Sequence, residues 1–350
     1  MKTNLKFIIC TCLLMVVSCE EPATVVTNYI HPDGSVTRLI EMRSFENDFT
    51  VPNVQVPYDS TWTVRDSAEL MDDKGDTMWV RRAEKTFRNI DQINLDYRND
   101  SSHNHSFSRN ASLTKRFRWF NTEYRFSENI GKLMEFGLPL KDFLSDDEIT
   151  FFYSPEYGTD ELKDGPDSLR IRRMRKAIDE KSETWLIKSL ISEWIGQLGK
   201  LTEGKSGQLI SELRSKEPGI YDLINQKYMD NFDSLWQAGV IQKDLMGEEN
   251  AERFRVEADS AISIATEAAL PDFKDYSVRM VMPGKLTATN GFMDSTKILL
   301  WPVSSSYFMT EPYEMWAESK KANIWAWVVS GLFLAFVLTG VVIRTLKKAE

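Results

Sequence analysis

His103 and His105 stand one residue apart, the arrangement in this sequence nearest to a metal site. Two imidazoles so placed can share one ion, but they fall short of a full coordination set, and no third ligand is identifiable. Three adjacent acids, Asp146, Asp147 and Glu148, are of the types that serve as general acid, general base or hard-cation ligand. Their position after Ser145 gives a different reading. Ser-Asp-Asp-Glu has the form of a capping box, in which the serine caps a helix and the glutamate reaches back to it. Acids are plentiful elsewhere, yet nothing singles out a pair for hydrolysis. No GxGxxG or Walker-type phosphate cradle is present, and no HExxH helix or GxSxG elbow. The expectation is no catalytic residue, no cofactor and no metal.

Sulfur chemistry is confined to one end. Cys10, Cys12 and Cys19 are the chain's three cysteines, so beyond residue 19 no thiol is available for a disulfide, a thiolate cluster or a nucleophile. The N-terminus reads MKTNLK, then FIICTCLLMVV, then SC, a basic leader and an apolar run too short for a permanent membrane span. Val16-Val17-Ser18-Cys19 resembles a bacterial lipobox. That resemblance implies a signal peptide over 1–18 and lipidation of Cys19, with diacylglycerol on sulfur and an acyl chain such as palmitate on the new amine. Multiple acyl chains suffice for stable anchoring.

The opposite end reads IWAWVVSGLFLAFVLTGVVI, residues 324–343, without a charge. Twenty residues at 1.5 Å each cross a hydrocarbon core. Trp325 and Trp327 sit where an aromatic belt belongs, and Arg344, Lys347 and Lys348 follow. A transmembrane helix is expected over 323–343 with a cytoplasmic tail at 344–350. Export behind the signal peptide makes this helix a stop-transfer element. Because outer membranes are normally spanned by barrels, the expected site is the bacterial inner membrane, with the ectodomain in the periplasm. The formal charge of −9 argues against nucleic acid, whose binding rests on phosphate neutralisation.

Between the ends, β-rich text over 19–140 gives way to helical text over 141–270 and returns over 271–322. Residues 23–44 read as a hairpin around His31-Pro32-Asp33-Gly34-Ser35, and 71–87 as a second turning at 72–76. Residues 99–112 read as an exposed loop. In LTKRFRWFNTEYRF, residues 113–126, Phe117 and Trp119 alternate with Arg116 and Arg118, which predicts a half-buried strand. A bulge or turn near Phe120 and Asn121 then changes the buried face. Ile187, Leu190, Ile191, Trp194, Leu198 and Leu201 recur at helical spacing. Arg170, Arg172, Arg173, Arg175 and Lys176 form a basic run on the same helix, with anionic lipid as a candidate contact and a solvated, ion-paired face as the plainer reading. Strands are expected again at 276–282 and 297–303.

Three resemblances add context. FRWF-type segments are similar to those in lipoproteins of unassigned function from anaerobic gut bacteria. Asp33-Gly34, Pro283-Gly284, Asn290-Gly291 and Trp301 before a single C-terminal helix resemble LppM-type bacterial lipoproteins, over about a third of the chain. The most that this resemblance implies is lipid handling. Asp followed by Ser or Thr and a small or apolar residue resembles a periplasmic O-glycosylation sequon. It places candidate sites at Ser60, Ser67, Thr77, Ser168, Ser234, Ser260 and Ser295.

The fold expected is α+β: antiparallel hairpins from the N- and C-terminal parts form a sheet, with a helical insertion and one C-terminal transmembrane helix. The function expected is that of a non-enzymatic, membrane-anchored envelope lipoprotein that binds or organises a partner. A lipid or hydrophobic-ligand module near the bilayer is the alternative, and an unidentified hydrolase the third.

Overall fold

The computed structural model describes residues 24–349, except 46, 48, 50–55, 57, 72–75, 100–107, 158–167, 203–204 and 270–272. The leader, the lipobox with Cys19, the histidine pair and the turn at 72–75 lie outside the described residues.

The fold is mixed α+β, with 49% of the described residues helical and 29% in strands. β1 (Thr24–Ile30) and β2 (Val36–Ser44) form the first hairpin, turning at Asp33 and Gly34. The Asp33 carboxylate accepts from the Ser35 backbone N–H and hydroxyl, while Gly34 takes φ +101°, a conformation that favours glycine. β3 (Thr63–Met71) and β4 (Asp76–Phe87) form the second, with β4 also paired to β2. From the C-terminal part come β7 (Tyr276–Val281), β8 (Lys285–Thr289), β9 (Phe292–Met293), β10 (Leu299–Val303) and β11 (Tyr313–Ala322).

These strands build two sheets rather than one, and each joins both parts of the chain. The seven-stranded sheet runs β3-β4-β2-β1-β7-β10-β9. Its halves meet at β1 and β7, the parallel pair in otherwise antiparallel pairings. The four-stranded sheet runs β5-β6-β11-β8, where β5 (Arg109–Phe117) and β6 (Asn121–Ile130) form a third hairpin. The exposed loop expected over 99–112 therefore gives way to strand at Arg109. Before it lies a helix that sequence reading missed, α1 (Ile90–Asn99). Asn94 fixes this helix to the sheet edge, since its side-chain amide donates to the Ala111 carbonyl and its oxygen accepts the Ala111 N–H.

Alternation along β2 buries Val36, Arg38, Ile40 and Met42, so one inward position carries a charge. The Arg38 guanidinium donates to Asn28 on β1 (2.8 Å), to the Tyr97 hydroxyl on α1 and to Glu128 on β6 (3.2 Å). Tyr97 also donates to Glu128 (2.6 Å). Burial opposes the Arg38 charge, but Tyr97 and Glu128 outweigh it and raise its pKa. Burial pushes the Tyr97 phenol up. The network ties both sheets and α1 together in the core.

The insertion comprises α2 (Asp146–Phe152), α3 (Ser168–Leu201), α4 (Gly207–Leu223), α5 (Phe232–Gln237), α6 (Val240–Met246), α7 (Glu248–Arg253) and α8 (Arg255–Ala269). The capping box at Ser145 and Glu148 forms as expected. The long α3 serves two cores. Ile178, Trp185 and Leu186 join the sheets, while Ile187, Ile191, Trp194 and Leu198 pack within the helical block. Last comes α9 (Ile324–Ala349). Its stretch Ile324–Leu346, 23 residues that include an 18-residue run of mean hydropathy 2.4, is long and apolar enough to cross a membrane.

Pro283-Gly284 packs against the end of β11, and Asn290-Gly291 packs against Trp301. A Cβ at Gly284 would lie 2.3 Å from the Lys320 carbonyl oxygen, and one at Gly291 would lie 2.5 Å from the Trp301 ring. Asn290 accepts from the buried Trp301 indole (3.0 Å) and from the Trp316 N–H (2.8 Å), holding β10 against β11.

Two outcomes follow. Glu128→Ala leaves Arg38 buried without its carboxylate and is expected to cost about 3–5 kcal/mol, read by denaturant unfolding of the purified chain. A loss under about 1 kcal/mol would remove the network's structural role. Hydrogen bonding from Lys181, then from Ser145, holds the Glu148 carboxyl below its ordinary 4.5. A lowered carboxyl pKa stabilises the fold above the unfolded value and ceases to do so as pH falls through the folded value. Glu148→Gln should thus lower the thermal midpoint at pH 7, and the gap from the parent should close as pH drops below 4.5.

Candidate functional site at the strand-to-helix junction

Strand β11 buries Tyr313, Met315, Ala317 and Ser319 in strict alternation and pairs with β6 to its last residue, Ala322 opposite Asn121. Helix α9 begins at Ile324. The single residue between them, Asn323, holds the junction. Its backbone N–H donates to the Phe120 carbonyl (3.0 Å), and its side-chain amide donates to the carbonyls of Arg118 (2.7 Å) and Trp119 (3.3 Å). Its side-chain oxygen accepts from the Thr122 hydroxyl (3.0 Å), and its carbonyl accepts the Ala326 N–H at the helix start (2.9 Å).

The tip of the β5–β6 hairpin is thereby laid along the first two turns of α9. Residues Ala326 and Ser330, four apart, share one helix face. Ala326 is fully buried, and the Ser330 hydroxyl accepts from the Trp119 indole (2.9 Å). Aromatic rings surround this contact. Phe117 stacks on Trp325 with centroids 6.3 Å apart, Trp119 meets Trp325 edge-on at 5.2 Å, and Phe120 lies 4.4 Å from Trp327. Even so, the rings remain open to their surroundings, with Phe117 56% and Trp327 59% exposed.

Cations border the rings. Lys115, Arg116, Arg118, Lys320 and Lys321 are all exposed. Glu123 is shared by Lys320 (3.2 Å) and Arg118 (3.6 Å), and its carboxyl is held below the usual range first by the Lys320 contact. Among the described residues no ion pair engages Lys115, Arg116 or Lys321. The site thus combines an apolar aromatic tip with a basic border, on a chain whose formal charge is −9.

Sequence reading placed Trp325 and Trp327 here but gave the facing segment another role. Phe117 and Trp119 are not buried in the protein as members of a half-buried strand. The chain reverses at Arg118–Phe120, where the Arg118 N–H donates to the Asn121 carbonyl. Asn323, Thr122 and Ser330 were missed. The available signal was a second aromatic and basic segment of the same make-up as the helix flank.

The other candidates lie elsewhere. Arg170, Arg172, Arg173 and Lys176 are exposed on the first half of α3, Lys176 beside Glu180 (3.9 Å). Arg175 is half-buried and donates to the Glu156 carbonyl (2.6 Å). Among the hydroxyls, Ser60, Ser67, Ser234 and Ser295 are exposed, while Thr77, Ser168 and Ser260 are half-buried. At Ser60 and Ser295 the preceding aspartate folds a turn, accepting from the N–H of Thr61 and of Thr296. The Asp259 carboxylate accepts from the Trp236 indole, a packing role. An apolar cavity of about 40 Å³ lies in the helical block, lined in part by Ile191, Trp194, Phe232 and Trp236. Among the described residues no three His, Cys, Asp or Glu side chains are grouped to hold a metal. No protein-family model, curated protein or solved structure matches the chain.

Asn323→Ala removes the side-chain bonds that close the junction and is expected to expose the amides of residues 118–122. Their hydrogen exchange in the detergent-solubilised chain should quicken by about tenfold, the effect of about 1.4 kcal/mol lost over hydrogen bonds worth about 0.5–1.5 kcal/mol each. Unchanged exchange would show that Asn323 does not hold the tip.

Proposed function

We propose that this chain is a non-enzymatic, membrane-anchored envelope lipoprotein that binds or organises a partner at the periplasmic face of a bacterial inner membrane. In this reading α9 spans the bilayer and Cys19 carries the second, lipid tether. The observation that carries it is the junction itself. A 23-residue, predominantly apolar stretch that the rest of the protein leaves almost wholly uncovered follows a paired strand after one residue, and that residue is bonded to the neighbouring hairpin. Such an arrangement presents the ectodomain in a fixed attitude at a surface, which suits recognition of a partner in the same envelope.

The alternative, a hydrophobic-ligand module, calls for interior room. The cavity in the helical block, at about 40 Å³, has space for about one or two waters, whereas small-molecule sites span about 300–1,000 Å³. At this cavity, therefore, a small-molecule ligand has no room, which supports the partner-binding reading for the helical block. The LppM-type resemblance is compatible with either, and among its turn residues Asn290-Gly291 serves packing around Trp301.

Carbonate extraction of membranes from a Gram-negative host tests the anchoring. The parent chain, Cys19→Ala and a deletion of 324–343 are each expected to stay with the membrane. The combined variant is expected to be released. Retention of the combined variant, or release of the parent, would overturn the two-tether reading. Crosslinking in intact cells should give a discrete protein adduct of the parent chain, and its absence from abundant protein would overturn the partner role.

A further inference from the structure

We infer that the β5–β6 hairpin tip, Phe117 to Phe120, is a second membrane-inserting element that enters the outer leaflet beside α9 and seats its basic border on anionic phospholipid headgroups. The inference rests on reading α9 as the membrane span, and it adds a contact that neither tether supplies.

Depth comes first. Ser330 lies six residues beyond Ile324, about 9 Å along the axis at 1.5 Å per residue. The hydrogen bond from the Trp119 indole to Ser330 therefore places this side chain well below the start of the apolar helix. A bilayer that covers the first two turns of α9 must also meet Trp119 and Phe120.

The chemistry of the tip suits that medium. Within hydrocarbon, a backbone group left without a partner is costly, so irregular segments enter only when protein satisfies them. The carbonyls of Arg118, Trp119 and Phe120, which form the turn, all accept from Asn323. The side-chain indole N–H of Trp119 is engaged as well, donating to the Ser330 hydroxyl. Outward-facing rings of Phe117, Trp119, Phe120, Trp325 and Trp327 form an aromatic cluster of the kind that settles at a membrane interface.

Charge then selects the lipid. Lys115 and Arg116 on β5 and Lys320 and Lys321 on the end of β11 sit above the tip, while Arg118 lies in the turn itself and is turned back to Glu123. Glu123 offsets only part of that charge. Anionic headgroups attract such a border, whereas the acidic remainder of the chain is repelled. Most of the basic run on α3 is also exposed, but among the described residues only at the tip do cations adjoin exposed aromatic rings packed on the apolar helix.

The test uses the full chain reconstituted into vesicles of phosphatidylcholine and phosphatidylglycerol that contain a phospholipid with a diazirine in its acyl chain. After illumination, adducts are mapped by mass spectrometry. Adducts are expected on α9 and on the peptide containing residues 117–120. In vesicles of phosphatidylcholine alone, or with the Lys115→Glu/Arg116→Glu variant, tip adducts should fall at least threefold while those on α9 persist. Labelling of α9 with a clean tip would overturn the inference and assign the aromatic tip to a protein contact. Equal tip labelling in both lipid mixtures would overturn its anionic preference. Absence of adducts from α9 would instead defeat the spanning reading on which this one rests.

Discussion

Everything at the end of the molecule that carries α9 follows from the register of β11 against β6. Ten consecutive pairs, from Tyr313 opposite Ile130 to Ala322 opposite Asn121, bring the end of one strand level with the turn of the neighbouring hairpin. Asn323 then has the Arg118–Phe120 carbonyls within reach and closes on all three. A slip of one residue would turn the inward set Tyr313, Met315 and Ala317 outward and move Asn323 off its acceptors. The strand core therefore specifies the helix contact, although the two are different kinds of structure.

That register itself needs both parts of the chain. Each sheet is completed by strands from before and after the helical insertion, so neither part has a finished core alone. The network of Arg38, Glu128, Tyr97 and Asn28 links the sheets with directional bonds inside an otherwise apolar interior. A buried ion pair need not stabilise more than apolar residues of equal volume. What it does here is penalise other ways of packing the sheets, since any arrangement separating Arg38 from Glu128 strands a charge.

Much of this architecture was legible from periodicity. Apolar residues at helical spacing located α3, the charge-free run located α9, and Asp-Gly at a gap between β-rich segments located the first hairpin. The failures share a physical cause. The single-sequence pattern at Phe117 and Trp119 shows that alternate side chains avoid water, but it cannot show what covers them, and in the protein little does. Arg38 and Glu128 were invisible for the converse reason: a charge at an inward position reads as solvated unless its partner, 90 residues away, is known. Helix α1 escaped because its sequence, IDQINLDYRN, is polar and commits only a narrow face to the core. The junction residue Asn323 reads as an ordinary polar break before an apolar run, and its role depends on a hairpin some 200 residues earlier.

The one-residue junction has a mechanical consequence. A helix joined to its domain by a loose linker can lean in the bilayer while the domain stays level. Here β11 passes into α9 through a residue bonded on both sides, so, with α9 in a bilayer as proposed, helix tilt and the attitude of the sheets are a single variable. When a span is longer than the hydrocarbon it crosses, tilting is one means of accommodation. For α9 that tilt would be transmitted through β11 to both sheets, and the thickness of the surrounding membrane would set the angle at which the helical block faces its neighbours.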